Sequence, residues 1–163
     1  TDGLRYISLC KMARDENADR AARPDAHFEG VLARTTGAVY KILFCDNNSR
    51  LLASCSDQTL EAWDVLSRSY VSHMHIQAGL ARDMILANHG NWLITVDDGG
   101  SIMVREGMSG QLLRTIVGDW GPLYGIALSP DESRLAVSAF DGSIRVFDTK
   151  DIGFPDFSTS GNP

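Results

Sequence analysis

From Gly37 onward the chain alternates short apolar runs with tight clusters of turn-forming residues, and the alternation keeps a fixed beat. First runs read VYKILFC (39–45), ARDMILA (81–87) and LYGIALS (123–129). The turns DNNSR, NHGN and PDES follow, rich in residues that tolerate reverse-turn geometry. Second runs are LLASC, WLITV and RLAVS; after the turns SDQ, DDGG and FDG come third runs, TLEAW, SIMVR and SIRVF. Weaker fourth runs lie at 69–76 (SYVSHMHI) and 111–116 (QLLRTI). Each run has the length and composition of a β-strand.

The period is 42 residues without a gap: Gly37, Gly79 and Gly121 precede the first strands, and the strand columns agree. Ile42, Met84 and Ile126 share one column; Leu51, Leu93 and Leu135 share another. Leu60, Ile102 and Ile144 share a third, and Ala62, Val104 and Val146 a fourth. A repeat of this length built of short strands predicts β-propeller blades of four antiparallel strands. The apolar residues of the first and second strands run nearly unbroken, as expected where neighbouring blades cover both sheet faces.

Before Gly37 the match is poor. Leu4 to Leu9 has strand composition, Lys11 to Ala26 is charged and alanine-rich, and His27 to Arg34 resembles the last strand of a blade. The 11–26 stretch reads as a surface loop or a short helical turn. The organisation expected is therefore a diverged partial blade with a charged insertion (1–36), a blade (37–78), a second (79–120), a partial blade (121–150) and a tail or linker (151–163). About three blades plus a remnant cannot close a ring, since closed propellers have about 4–8 blades. The expectation is an all-β section of an incomplete ring, closed by further blades or by another chain.

Composition narrows the partners. The 163 residues are 44% hydrophobic and 22% charged, which supports a packed core and argues against disorder. A formal charge of −6 without a Lys/Arg cluster argues against a nucleic-acid backbone as the main partner. Cys10, Cys45 and Cys55 lack metal-ligand spacing; the turn after Cys45 pairs it with about Leu51 rather than with Cys55. Unpaired thiols fit an intracellular setting, cytoplasmic or nuclear. No apolar run reaches the ~20 residues of a membrane span, and the start shows no signal-peptide pattern. No membrane partner is expected.

The residues Glu61-Ala62-Trp63-Asp64, with Phe147-Asp148 and the more diverged Arg105-Glu106 at the same place in the repeat, resemble the WD-repeat β-propeller family. Leu128-Ser129-Pro130-Asp131 is similar to the family's turn between first and second strands. The resemblance covers Gly37 to Asp148. It implies a non-catalytic scaffold that binds a protein or peptide through the propeller rim. The chain departs from the family where a His is usual before the first strand: the equivalents are Thr35, Gln77 and Asp119. Asp57 and Asp141 match the family's structural Asp, while the middle copy has Gly99 there and Asp98 one place earlier. Without a His partner these aspartates are read as turn residues bonding nearby backbone N–H groups.

Catalytic chemistry is sparse. His73 and His75 lie on one strand face but lack a third ligand, so no metal site is expected. Asp97-Asp98-Gly99-Gly100 lacks the alternating acids of a calcium loop, and Ser129 has no His to act as its base. No phosphate-cradling loop appears, so no cofactor is expected either. Carried over position by position, the family's partner-binding sites fall on Tyr40, Arg82 and Tyr124, beside Ser56, Asp98 and Phe140, with Trp120 in the adjoining loop. Tyr, Trp and Arg are the types that concentrate binding energy at interfaces. The alternative is a fragment of a lactonase-like propeller hydrolase whose catalytic ring lies mostly in other blades; LSPDESRLAVSAFDGSIRVFD would also suit that architecture.

Overall fold

The structure is a computed structural model that describes residues 5–12, 26–35, 37–75, 79–107 and 109–152. Four antiparallel sheets follow one another along the chain. β1 (Arg5–Met12) and β2 (Ala26–Thr35) form a two-stranded ribbon. β3 (Val39–Cys45), β4 (Arg50–Cys55), β5 (Thr59–Asp64) and β6 (Ser69–His75) form a four-stranded sheet in chain order. β7 (Ala81–Ala87), β8 (Trp92–Asp97), β9 (Ser101–Glu106) and β10 (Leu112–Val117) repeat it. β11 (Leu123–Leu128), β12 (Arg134–Ala139) and β13 (Ile144–Asp148) form a three-stranded sheet. Among the described residues the only helical element is a 3-10 turn at Asn88–Gly90. The chain is thus an all-β array of propeller blades in an incomplete ring. The charged stretch 13–25 and the tail 153–163 lie outside the described residues.

The core sits between sheets, in three layers. Leu32 and Ala33 of β2 pack on Leu51, Ala53 and Cys55 of β4. Leu52, Leu60 and Ala62 then meet Ala81, Met84, Leu93 and Met103 of the middle sheet. On that sheet's other face, Ile94, Val96, Ile102 and Val104 meet Leu123, Ile126, Leu135 and Val137. Side chains alternate faces along a strand, so Leu93 and Met103 enter one layer while their neighbours Ile94 and Ile102 enter the next. That is why β8 is buried from Leu93 to Asp97 without an exposed position, the polar Thr95 and Asp97 included.

The unbroken burial expected of all first strands holds only where both faces are covered. β3 alternates instead: Leu43 and Cys45 pack on the middle sheet, while Tyr40, Ile42 and Phe44 are exposed. Its outer face has no inner strand of a preceding blade against it among the described residues. At the other end Ile144 and Val146 of β13 are exposed, because among the described residues no following sheet packs on that face as the middle and third sheets do on Leu60 and Ala62 and on Ile102 and Val104. Cys45 pairs with Arg50 and Cys55 with Val39, at opposite ends of the hairpin. The pairing is one residue tighter than the turn length suggested, and the two thiols are free.

Candidate recognition site at the start of the first strands

The first strand of each of the last three sheets carries an irregularity at its second residue. Register passes from Val39↔Cys55 to Lys41↔Ser54, from Ala81↔Asp97 to Asp83↔Val96, and from Leu123↔Ala139 to Gly125↔Ser138. Tyr40, Arg82 and Tyr124 are the residues stepped over. A bulge leaves one residue out of the ladder and re-aims its side chain, a device common beside functional sites. The 42-residue repeat thereby places one re-aimed side chain per sheet at the same end of the array.

Three of them meet. The Arg82 guanidinium lies over the Tyr40 ring at 4.9 Å from its centroid and over the Tyr124 ring at 5.8 Å. A cation over an aromatic face is attracted by the ring quadrupole. Arg82 Nη2 also donates to Asp98 Oδ2 at 2.8 Å. Asp98 is held in turn, its Oδ1 accepting the Leu80 N–H at 2.8 Å. Arg82 is therefore held by two aromatic rings and one carboxylate.

Ser56, Asp98 and Phe140 follow the second strands, and their backbone N–H groups bond the carbonyls of Ala38, Leu80 and Pro122. The side chains close the loop in two of the three copies. The Ala38 N–H donates to Ser56 Oγ at 2.8 Å, as Leu80 does to Asp98. Glycine before each donor permits this closeness: a Cβ on Gly37 would stand 2.8 Å from Ser56 Oγ, and one on Gly79 2.7 Å from Asp98 Oδ1. In the third copy the donor is Pro122, which has no N–H. Phe140 is thereby released from accepting a hydrogen bond; it is 73% exposed, with its ring 6.2 Å from that of Tyr124.

Trp120 is engaged elsewhere. Its indole N–H donates to the Gly100 carbonyl at 2.6 Å, and its ring meets Phe147 edge-on at 5.5 Å. It pins the loop between the last two sheets. Asp57 accepts from the Thr59 hydroxyl at 2.6 Å, and Asp141 accepts the Ser143 N–H at 2.9 Å. Arg145, then Ser143, hold the Asp141 carboxyl below the usual carboxylate range.

Two carboxylates act in ways the sequence did not reveal. Asp83 joins three sheets: its Oδ1 faces Lys41 Nζ at 2.7 Å and its Oδ2 accepts the Ile126 N–H at 3.1 Å. That N–H points out from β11, the inner edge of its sheet, and would otherwise lack a ladder partner. Asp97, almost fully buried, accepts the Ser101 N–H at 2.8 Å, and burial pushes its carboxyl pKa up. On β6, the outer strand of the second sheet, the Tyr70 hydroxyl bonds His73 Nδ1, and on the neighbouring β5 Trp63 Nε1 donates to Glu61 at 3.3 Å. The His75 side chain lies outside the described residues. Among the described residues, no three His, Cys, Asp or Glu side chains gather as a metal site would require, and no helix is long and apolar enough to cross a membrane.

This architecture is found in known proteins. The family model described as "WD domain, G-beta repeat" matches residues 27–64 and 110–148. The two matches end on Trp63-Asp64 and Phe147-Asp148; the middle copy, ending on Arg105-Glu106, falls outside them. Its Arg105 is buried where the others have an aromatic ring, bonding the Gly110 carbonyl at 3.1 Å. The WD repeat-containing protein slr1410 of Synechocystis sp. is 28% identical over 112 residues, which are 69% of this chain and 33% of that protein. Among solved structures, that of U3-55K superposes with a TM-score of 0.66 at 18% identity, covering 74% of this chain and 38% of that one. The WD40 repeats of RRP9 give a TM-score of 0.65 at 19% identity, with the same coverage. The chain spans a third or less of the length of the curated relatives it matches. WD-repeat proteins are in general protein-interaction scaffolds rather than enzymes. With the fold, the repeat and the family match in agreement, residues 27–64 and 110–148 are repeats of the WD type, set in an array of β-propeller blades.

Proposed function

We propose that this chain is the part of a propeller scaffold that captures a protein or peptide at the rim where the first strands begin. The observation that carries this reading is the Arg82 guanidinium held between Tyr40 and Tyr124 and fixed by Asp98. A surface that is rigid before binding loses little side-chain entropy on contact, which favours affinity. Ser56 and Asp98 brace the adjoining loops, Phe140 extends the aromatic surface, and Trp120 holds the loop behind it. Asp57 and Asp141 shape the turns. The blades of this reading are 37–78, 79–120 and 121–150, with 1–36 a diverged partial blade and 151–163 a tail or linker.

Further blades, from a longer chain or from another one, complete the ring. The exposed Ile42 and Phe44 at one end and Ile144 and Val146 at the other support this, since bare apolar faces call for cover. Free thiols at Cys45 and Cys55 support a reducing intracellular compartment. The test is affinity capture by the protein and by its Tyr40→Ala/Arg82→Ala/Tyr124→Ala variant, with partners identified by mass spectrometry. The expected result is loss of the partners with an unchanged circular-dichroism spectrum. An identical partner set from a folded variant refutes the assignment.

A further inference from the structure

We infer that the Arg82 site receives an acidic side chain of an extended peptide segment, with a bulky apolar residue beside it seated on Phe140. This deepens the rim-recognition reading and rests on it. A guanidinium carries five N–H donors in a planar fork. Asp98 accepts from Nη2, the guanidinium lies over the Tyr40 and Tyr124 rings, and Nε is buried without an acceptor. What the partner can reach is the remaining edge: the Arg82 side chain is 26% exposed.

The chemistry of that edge decides the ligand. A cationic side chain is excluded, because both ring faces already hold a guanidinium that would repel it. A purely apolar anchor would cover the remaining donors and leave them without water or acceptor. A carboxylate accepts from the open edge in the planar geometry a guanidinium favours, and the phenol hydroxyls of the flanking tyrosines can donate to it as well. Asp98 does not fill that role twice, since Oδ1 is committed to Leu80 and Oδ2 to the far edge of Arg82. Phe140, exposed and 6.2 Å from Tyr124, supplies an apolar shelf one blade along.

The experiment is selection from a random dodecapeptide display library, followed by binding titration of synthetic copies. The selected peptides are expected to share Asp or Glu next to a large apolar residue. Replacing that acid by its amide should weaken binding by about tenfold or more, the worth of one charge-assisted hydrogen bond. The discrimination should vanish in Arg82→Gln, which binds acid and amide alike, while Tyr40→Ala and Tyr124→Ala weaken both. Thermal melts confirm that each variant folds. Peptides that need Tyr40 and Tyr124 but show no acid preference, or prefer Lys or Arg, overturn the acidic anchor and leave the rim reading standing. Peptides indifferent to all three substitutions overturn both, and a library returning no binder overturns a short linear anchor.

Discussion

Replacing Asp83 by alanine should cost this fold about 1–4 kcal/mol, more than its position on one inner strand would suggest. The figure has two parts. The Ile126 N–H, on a buried residue, loses its acceptor at 3.1 Å, and an orphaned donor of that kind costs ~1–3 kcal/mol. Lys41 loses its partner at 2.7 Å, but its side chain is 39% exposed against 17% for Asp83, so solvent screens that part to no more than ~1 kcal/mol. In urea, with a slope of ~2 kcal/mol/M, the unfolding midpoint should move down by about 0.5–2 M. Asp83→Asn keeps a carbonyl for Ile126 and should lose roughly half as much. A double-mutant cycle with Lys41→Met isolates the ion pair, whose coupling should stay under ~1 kcal/mol. A midpoint that barely moves in Asp83→Ala refutes the three-sheet staple. A Lys41 coupling equal to the whole loss refutes the division between its parts.

The remaining predictions concern the turns, a buried acid and a thiol. Ser56→Ala should destabilise by ~1 kcal/mol, because the Ala38 N–H loses its side-chain acceptor, whereas Phe140→Ser should change stability by under ~0.5 kcal/mol, since Pro122 offers no donor; chemical denaturation compares them. Burial raises the folded-state pKa of Asp97, so its contribution is fully present below the ordinary carboxyl value of about 4 and is lost as pH rises through the raised value. Asp97→Asn keeps the acceptor for Ser101 and removes that loss; melting curves from pH 4 to pH 7 should show the variant gaining on the parent as pH rises, and a constant difference contradicts this. Burial pushes the Cys55 thiol up to about 12, so alkylation by iodoacetamide at pH 8 should spare it until denaturant is added, as peptide mass mapping will show.

The strands were legible because the repeat is ungapped: three copies in one register reinforce each other wherever any one is weak. The four-stranded sheets, their order and the layers between them follow from columns such as Leu51, Leu93 and Leu135, all fully buried. The bulges were not legible. Tyr40, Arg82 and Tyr124 could be aligned, but which residue a strand steps over depends on its partner's pairing, and a column of letters does not record that. The meeting of Arg82 with both tyrosines was hidden too, since it depends on distances between sheets.

Asp83 is the sharpest example of what the sequence withheld. In the sequence it is only the lone acid among the first runs at 39–45, 81–87 and 123–129. Its contacts are with Lys41 in the preceding sheet and Ile126 in the following one, so it ties sheets together. The middle turn shows a different limit. Alignment set Asp98 beside the turn position, but Asp97 bonds the Ser101 N–H within the turn while Asp98 reaches back to Leu80 and Arg82. Adjacent residues on a strand point to opposite faces, so a shift of one place changes the partner entirely.

Hydroxyl-radical footprinting of the protein with and without its captured partner tests the rim most directly. Tyr40, Tyr124 and the outer-strand Tyr70 are 44%, 45% and 46% exposed, so the three start on nearly equal terms. Recognition at the start of the first strands predicts that Tyr40, Tyr124 and Phe140 lose reactivity in the complex while Tyr70 keeps it. Protection of Tyr70 and the exposed Leu112 on the outer strands, with Tyr40 and Tyr124 unchanged, would contradict the account.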